Sequence, residues 1–153
     1  MDPNIGFLGF NLMLELSVLA WLIAQILKFF TVLITEHKVD WRAALAGGGM
    51  PSSHSALVCA CVASSGYLYG VNSPVFAIAA VMAVVVMYDA SNVRRQAGEQ
   101  AKVINYIMQQ WDSRPEMFGK QLKELLGHTP LQVFMGALLG IAIGLGGCWI
   151  MHG

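Results

Sequence analysis

Three stretches of the chain gather residue types that handle phosphate. The first is Gly47-Gly48-Gly49-Met50-Pro51-Ser52-Ser53-His54-Ser55, a glycine run that feeds straight into an apolar segment. Free N–H groups at a helix N-terminus, glycines that permit close approach and two hydroxyls are what a cluster of anionic oxygens needs. His54 then lies within reach of whatever is bound. The plainer reading is a flexible turn with a serine cap. The second stretch centres on Lys28, which shares a helical face with Gln25, Thr31 and Thr35 in an otherwise apolar run. A polar stripe of this kind faces a bundle interior or a wet cavity, although a lysine near the interface can also snorkel.

The third stretch runs from Tyr88 to Gln100 and contains Asp89, Arg94 and Arg95. On a continuous helix Arg94 falls on a stripe of small residues, Ala90, Ala97, Gly98 and Ala101, which turns it inward and Arg95 outward. Arg95 is then expected to pair with Glu99 at i, i+4 as a cytoplasmic anchor. A carboxylate such as Asp89, still inside an apolar segment, calls for a cationic or histidine partner, and a structural salt bridge to Lys28 or Arg94 is its plainer role. Of the four histidines, His37 lies in a charged loop and His152 is penultimate. His54 and His128 instead fall at the ends of apolar segments, as do Lys28, Asp89 and Arg94. Two histidines, two cations and a carboxylate arriving at one depth form a constellation suited to phosphoryl transfer: one His attacks phosphorus and the other protonates the leaving oxygen.

These residues must be positioned by membrane helices. The 153 residues are 56% hydrophobic and 12% charged, with a mean hydropathy of +0.59, and a soluble domain carries about 25% charged residues. A helix needs about 20 apolar residues to cross the hydrocarbon, which gives spans at 7–34, 53–69, 74–90 and 131–151 in one polytopic domain, 1–153. The expected fold is an all-α integral membrane four-helix bundle. The uncharged turn at 70–73 joins the second and third spans in a tight hairpin. Lys38, Arg42, Arg94, Arg95, Lys102, Arg114, Lys120 and Lys123 all fall in the loops before the second and fourth spans. These loops are therefore expected in the cytoplasm and both termini outside. Within the longer loop, Phe118, Leu122, Leu125 and Leu126 share one helical face, as in an amphipathic helix lying at the interface. Gly127 reads as its stop, and Thr129-Pro130 as the N-cap and first position of the last span.

Other features are less informative. The nine basic and nine acidic residues cancel, leaving no global field to draw nucleic acid. The three cysteines suggest neither a disulfide framework nor a zinc site. The first ten residues lack the basic region of a signal peptide, so the first apolar segment is expected to stay in the membrane. Gly136, Gly140 and Gly144 form a small-xxx-small stripe for packing within the bundle or across a dimer. Four short helices bury little, and a homodimer is the expected assembly.

Gly48-Gly49-Met50-Pro51-Ser52-Ser53-His54-Ser55-Ala56, then Tyr88-Asp89-Ala90 with Val93-Arg94-Arg95, and later Leu126-Gly127-His128-Thr129-Pro130, resemble the divergent branch of the type 2 phosphatidic acid phosphatase family. The family is related to acid phosphatases and vanadium haloperoxidases. The resemblance covers nearly the whole chain. It implies hydrolysis of a phosphate ester or diphosphate on a lipid, through a phosphohistidine and without a divalent metal or other cofactor. Ser52 and Ser53 look like the phosphate-binding pair, with Ser53 in place of the usual Gly, and His54 like the general acid. Lys28 is similar to the first-motif lysine, although Thr35-Glu36 stand where Arg-Pro usually follows, and Arg94 is similar to the third-motif arginine. Gly49 and Arg95 are secondary candidates. The nucleophilic His should come six residues after the Arg, where this chain has Gln100, so His128, oriented by Asp89, is expected to fill that role. The rival expectations are a noncatalytic protein that binds or transports a phosphate lipid, and a structural subunit that uses the glycine stripe.

Overall fold

The helix at the centre of the bundle is built from small residues. In the computed structural model, which describes residues 5–36, 49–110, 122 and 127–153, α2 (Ser53–Tyr69) buries Ser53, Ser55, Ala56, Val58, Cys59, Ala60, Ser64 and Ser65. Side chains this short let neighbouring backbones approach, which is how apolar helices gain packing energy in lipid, where hydrophobic burial alone gives none. The buried hydroxyls bond within the helix: Ser64 Oγ donates to the Ala60 carbonyl at 2.7 Å and Ser65 Oγ to Val62 at 2.8 Å.

The other helices pack around α2. Helix α5 (Pro130–His152) lays Gly136, Gly140 and Gly144 against the backbone carbonyls of Ser52, Ala56 and Ala60, so close that a Cβ on any of the three would collide. The glycine stripe is thus consumed inside the bundle and is not free for a second chain. Helix α1 (Leu12–Glu36) buries Leu12, Leu16, Ala20, Ala24 and Lys28, every fourth residue along one face. Ala20 and Ala24 meet Ala56 and Ala60, while Leu12 and Leu16 meet Cys148. Helix α3 (Pro74–Tyr88) touches α2 through Ala83, which packs on Val58 and Cys59, and leaves most of its other side chains partly or fully exposed.

The ends of these helices follow from local chemistry. Ser73 caps α3 by accepting from Phe76 N, with Pro74 following it, and Gly70 takes a left-handed φ of 81° in the hairpin turn. Thr129 and Gln132 form a reciprocal capping box at the start of α5. The first helix begins at Leu12, not Phe7, because the Glu15 carboxylate accepts from the backbone N–H groups of Leu8 and Phe10 and folds 5–11 back over the helix N-terminus. After Tyr88 the chain makes one π-helical turn, Asp89–Val93, and continues as α4 (Arg94–Gln109). The third apolar segment therefore does not stop at Ala90.

Among the described residues, three helical stretches are long and apolar enough to cross a membrane: Leu12–Ile34, the continuous run Pro74–Gln109, and Pro130–His152. The second expected span, α2, has 17 residues, a length of about 26 Å. The expected interfacial helix at 116–126 lies outside the described residues except for Leu122, whose backbone N–H and carbonyl are held by the Asn105 side chain.

Candidate functional site

Because the helices alternate in direction, the end of α1, the start of α2, the end of α3 and the start of α5 meet at one end of the bundle. Lys28 closes the buried stripe of α1 and is only 3% exposed. Gly49, at a left-handed φ of 99°, lies against its stem: a Cβ there would sit 3.0 Å from Lys28 Cε. Thr31 Oγ1 donates to the Met50 carbonyl at 2.7 Å, which straps the Gly49–Pro51 segment onto α1. Lys28 and Thr31 therefore face the bundle, and Lys28 is not a snorkelling anchor.

Ser52 is fully buried and caps α2. Its Oγ accepts from Ser55 N and Ser55 Oγ, and its N–H donates to the Gln132 carbonyl at 3.0 Å, joining the starts of α2 and α5. Ser53 is buried beside it and His54 is exposed. The His54 ring centroid stands 6.4 Å from that of His128, with the planes tilted by 55°. Two helix N-termini thus point their partial positive charge at the space around these rings.

His128 is 4% exposed and anchored at three points. Its backbone N–H donates to the Ala90 carbonyl at 2.9 Å. That carbonyl is available because Arg94 N–H reaches back five residues to Asp89, where an α-helix would have used Ala90. Next to it, Gly127 at φ 87° sits so close to the backbone of Arg94 and Arg95 that any Cβ would clash. The third anchor is the ring: His128 Nδ1 lies 3.3 Å from Gln132 Oε1, which also accepts from Thr129 N at 2.9 Å. Since the Thr129 N–H can only donate, the Gln132 atom it meets is the oxygen, and Nδ1 must carry the proton. In this tautomer Nε2 carries the lone pair. Burial holds the His128 pKa below its ordinary 6.5; the Gln132 bond opposes this, and Lys28, His54 and Arg94 reinforce it. The ring is neutral at pH 7.

Asp89 and Arg94 form a salt bridge, Oδ2 to Nε at 2.7 Å, with both side chains about half exposed at the rim of the site. The Asp89 carboxylate is bonded to Arg94, and the ring of His128 is bonded to Gln132. Arg94 does not sit on the buried stripe expected for it. The π-turn adds a residue, rotating α4 by about 100° relative to an uninterrupted helix, and the buried face becomes Ala90, Gly98, Ala101 and Asn105, with Ala97 exposed. Arg95 is exposed, and the expected Arg95–Glu99 pair is replaced by Lys102–Glu99 at 3.0 Å. Gln100 is exposed on α4. Among the described residues no cluster of three His, Cys, Asp or Glu could hold a metal ion.

Sequence reasoning missed Gln132 and the Ala90 carbonyl. The Thr-x-x-Gln spacing of a capping box carried the signal for Gln132; a carbonyl released by a π-turn leaves none.

The profile described as "Divergent PAP2 family" matches residues 10–143. The chain is 40% identical over 146 residues to "Uncharacterized membrane protein YuiD" of Bacillus subtilis (strain 168), covering 88% of this chain and 92% of the relative. No solved structure is a significant match. With the helices, the glycine–serine–histidine strap and the two histidines in view, the chain belongs to the divergent PAP2 family and is a multi-pass membrane protein.

Proposed function

We propose that the protein is a metal-independent membrane phosphatase acting on a lipid phosphate or polyprenyl diphosphate at the cytoplasmic face. The observation that carries this reading is the approach of His54 and His128 to 6.4 Å between two helix N-termini and beside buried Lys28. The phosphate sits over the first turn of α2. Its oxygens are held by the N–H groups of Ser53 and His54 in the first turn, by Lys28 and by Arg94, while Gly49 lets its strand close on the Lys28 stem. His128 Nε2 attacks the terminal phosphorus, its bond to the lipid oxygen (in a diphosphate, to the bridging oxygen) breaks, and His54 gives its proton to the departing oxygen. Water then attacks the phosphohistidine, yielding its proton to His54, and inorganic phosphate leaves with His128 restored. Asp89 acts through Arg94, holding the guanidinium at the rim.

The basic residues of the two longer loops orient the bundle with this end in the cytoplasm and both termini outside. In this arrangement α2 is the fourth span, since about 26 Å is close to the thickness of the hydrocarbon. The run Pro74–Gln109, about 54 Å long, carries α4 beyond the bilayer. A homodimer, if formed, must use a surface other than the consumed glycine stripe.

A second reading rests on Gln100, which stands at the position of the family's nucleophile and cannot attack phosphorus. On that reading the protein binds or carries a phosphate lipid without turning it over. The deciding experiment is phosphate release by detergent-purified protein, with EDTA present, on phosphatidic acid, phosphatidylglycerophosphate and polyprenyl diphosphates, beside His54→Ala and His128→Ala. Release from one of these lipids that both substitutions abolish is expected. No release by folded protein that still binds one of them would overturn the phosphatase reading in favour of the carrier.

A further inference from the structure

A groove of about 550 Å³ opens on the side of the bundle between α2, α3 and α5. Small residues hollow it out: Ala63 and Gly66 on α2 face Ala80 and Ala83 on α3, and Val71 with Phe76 closes the far end near the hairpin turn. Gly66 is required there, since a Cβ would press on the Phe76 ring at 3.2 Å. Only carbon-rich and sulfur-bearing side chains line the groove, apart from the tip of Tyr67, and none is charged. Its size lies within the range of about 300–1,000 Å³ that accepts a single small ligand.

The position of its near end identifies the occupant. Cys59 and Met87, in contact at 3.8 Å between sulfurs, form that end. Met87 stands two residues before Asp89, and Cys59 five after His54, a rise of about 8 Å along α2. An amphiphile whose phosphate rests on the α2 N-terminus sends its hydrocarbon into the membrane at this point, with the charged end among Lys28, Arg94 and the histidines and the apolar end among alanines, Val71 and Phe76. From His54 to Tyr67 the descent is about 20 Å. We infer that the groove between α2, α3 and α5, whose near end lies about 8 Å along α2 from His54, holds one hydrocarbon chain of the phosphorylated lipid and selects single-chain insertion. The inference rests on the phosphate site proposed above, and it requires binding only, not turnover.

The test uses the full-length protein in nanodiscs with hexadecyl phosphate carrying a photoreactive diazirine at its chain end, beside the same probe as the uncharged alcohol. The expected result is labelling by the phosphate probe concentrated in the peptide spanning 67–76 and suppressed by unlabelled hexadecyl phosphate. The alcohol spreads over the exposed apolar faces of α1 and α5. Ala80→Phe, which fills the groove, should cut the labelling at 67–76 at least fivefold, with the melting temperature followed to show that the variant folds. Identical labelling patterns for the two probes would overturn the inference and make the groove an ordinary lipid contact, as would undiminished labelling in a folded Ala80→Phe variant. Groove labelling without phosphate release from any lipid would leave the groove standing while the phosphatase reading failed. If Ala80→Phe does not fold, the contrast between the two wild-type probes decides alone.

Discussion

Gln132 is the residue through which the proposed mechanism is most exposed to test. Its Oε1 accepts from Thr129 N at 2.9 Å and faces His128 Nδ1 at 3.3 Å. Replacing it by Leu keeps the bulk on a half-buried helix face and removes both acceptor roles. Each lost hydrogen bond costs about 1 kcal/mol, so the fold should lose about 1–2 kcal/mol, a few degrees in Tm, with the loss of the cap included. The catalytic effect is separate. Without an acceptor at Nδ1, the proton distributes over both ring nitrogens and the ring can turn. A preference of about 1 kcal/mol keeps about 85% of the rings in the reactive form, so losing it lowers kcat by about twofold, and a ring free to turn loses orientation as well, for a fall of about fivefold in all. Gln132→Glu restores an acceptor, and kcat should recover. The added carboxylate favours the protonated ring, so the acidic limb of the pH–rate profile should move to higher pH. The assay is phosphate release against pH for wild type and the two variants, with Tm followed in parallel. Unchanged kcat in a folded Gln132→Leu protein would refute the assignment of Nε2 of His128 as the attacking atom.

Other consequences are simpler to state. Because burial lowers the His128 pKa, the unfolded chain takes up this proton first as pH falls; the stability is fully present above about 6.5 and is lost progressively from there through the folded value. A thermal melt series in detergent should show this acidic limb, and His128→Gln should flatten it. Gly140→Ala places a methyl group against the Ala56 carbonyl and should cost about 1–3 kcal/mol, read as a lowered melting temperature, whereas Gly146→Ala, where a Cβ meets nothing, should be neutral. Lys28→Met should cut phosphate release by a factor of about 10²–10³ by removing one cation from the transition state; a loss below tenfold would take Lys28 out of the site.

Much of this arrangement is legible in the sequence because it is local. The caps at Ser52, Ser73 and Thr129, the Gly70 turn and the small-residue stripes follow from residue type and spacing over a few positions. The inward direction of Lys28 is also legible, once its four-residue spacing from Ala24 and Ala20 is noticed. What the sequence does not carry is the inserted residue in the long helix. Nothing in Asp89-Ala90-Ser91-Asn92-Val93 forbids a continuous α-helix, so helical periodicity places Arg94 and Ala97 on the buried face. The π-turn, favoured by tertiary contact with the 127–128 segment, turns that register by one residue. Nor can spacing show whether Asp89 meets His128 or Arg94, because the choice depends on where two distant helix ends come to rest.

The same π-turn gives a physical reason for the proposed exchange of Gln100 for His128 as the attacking group. An uninterrupted helix would bond Arg94 N–H to Ala90 and leave the loop before α5 without an acceptor. With the bond moved to Asp89, Ala90 accepts from His128, and the glycine before that residue lets the backbones close. A nucleophile carried on α4 would depend on the register of a helix that continues to Gln109 beyond the π-turn. One carried at the start of α5 is fixed by Ala90, by Gln132 and, through the Ser52–Gln132 bond, by α2 itself, the helix on which the phosphate is proposed to rest. Deleting one residue between Asp89 and Arg94 should therefore restore a regular helix, close the Ala90 carbonyl to His128 and abolish phosphate release, while the glycine-packed core of α2 and α5, which does not touch the deletion, stays folded. Retained turnover in the deletion protein would mean that His128 does not need this tether, and that the π-turn serves packing alone.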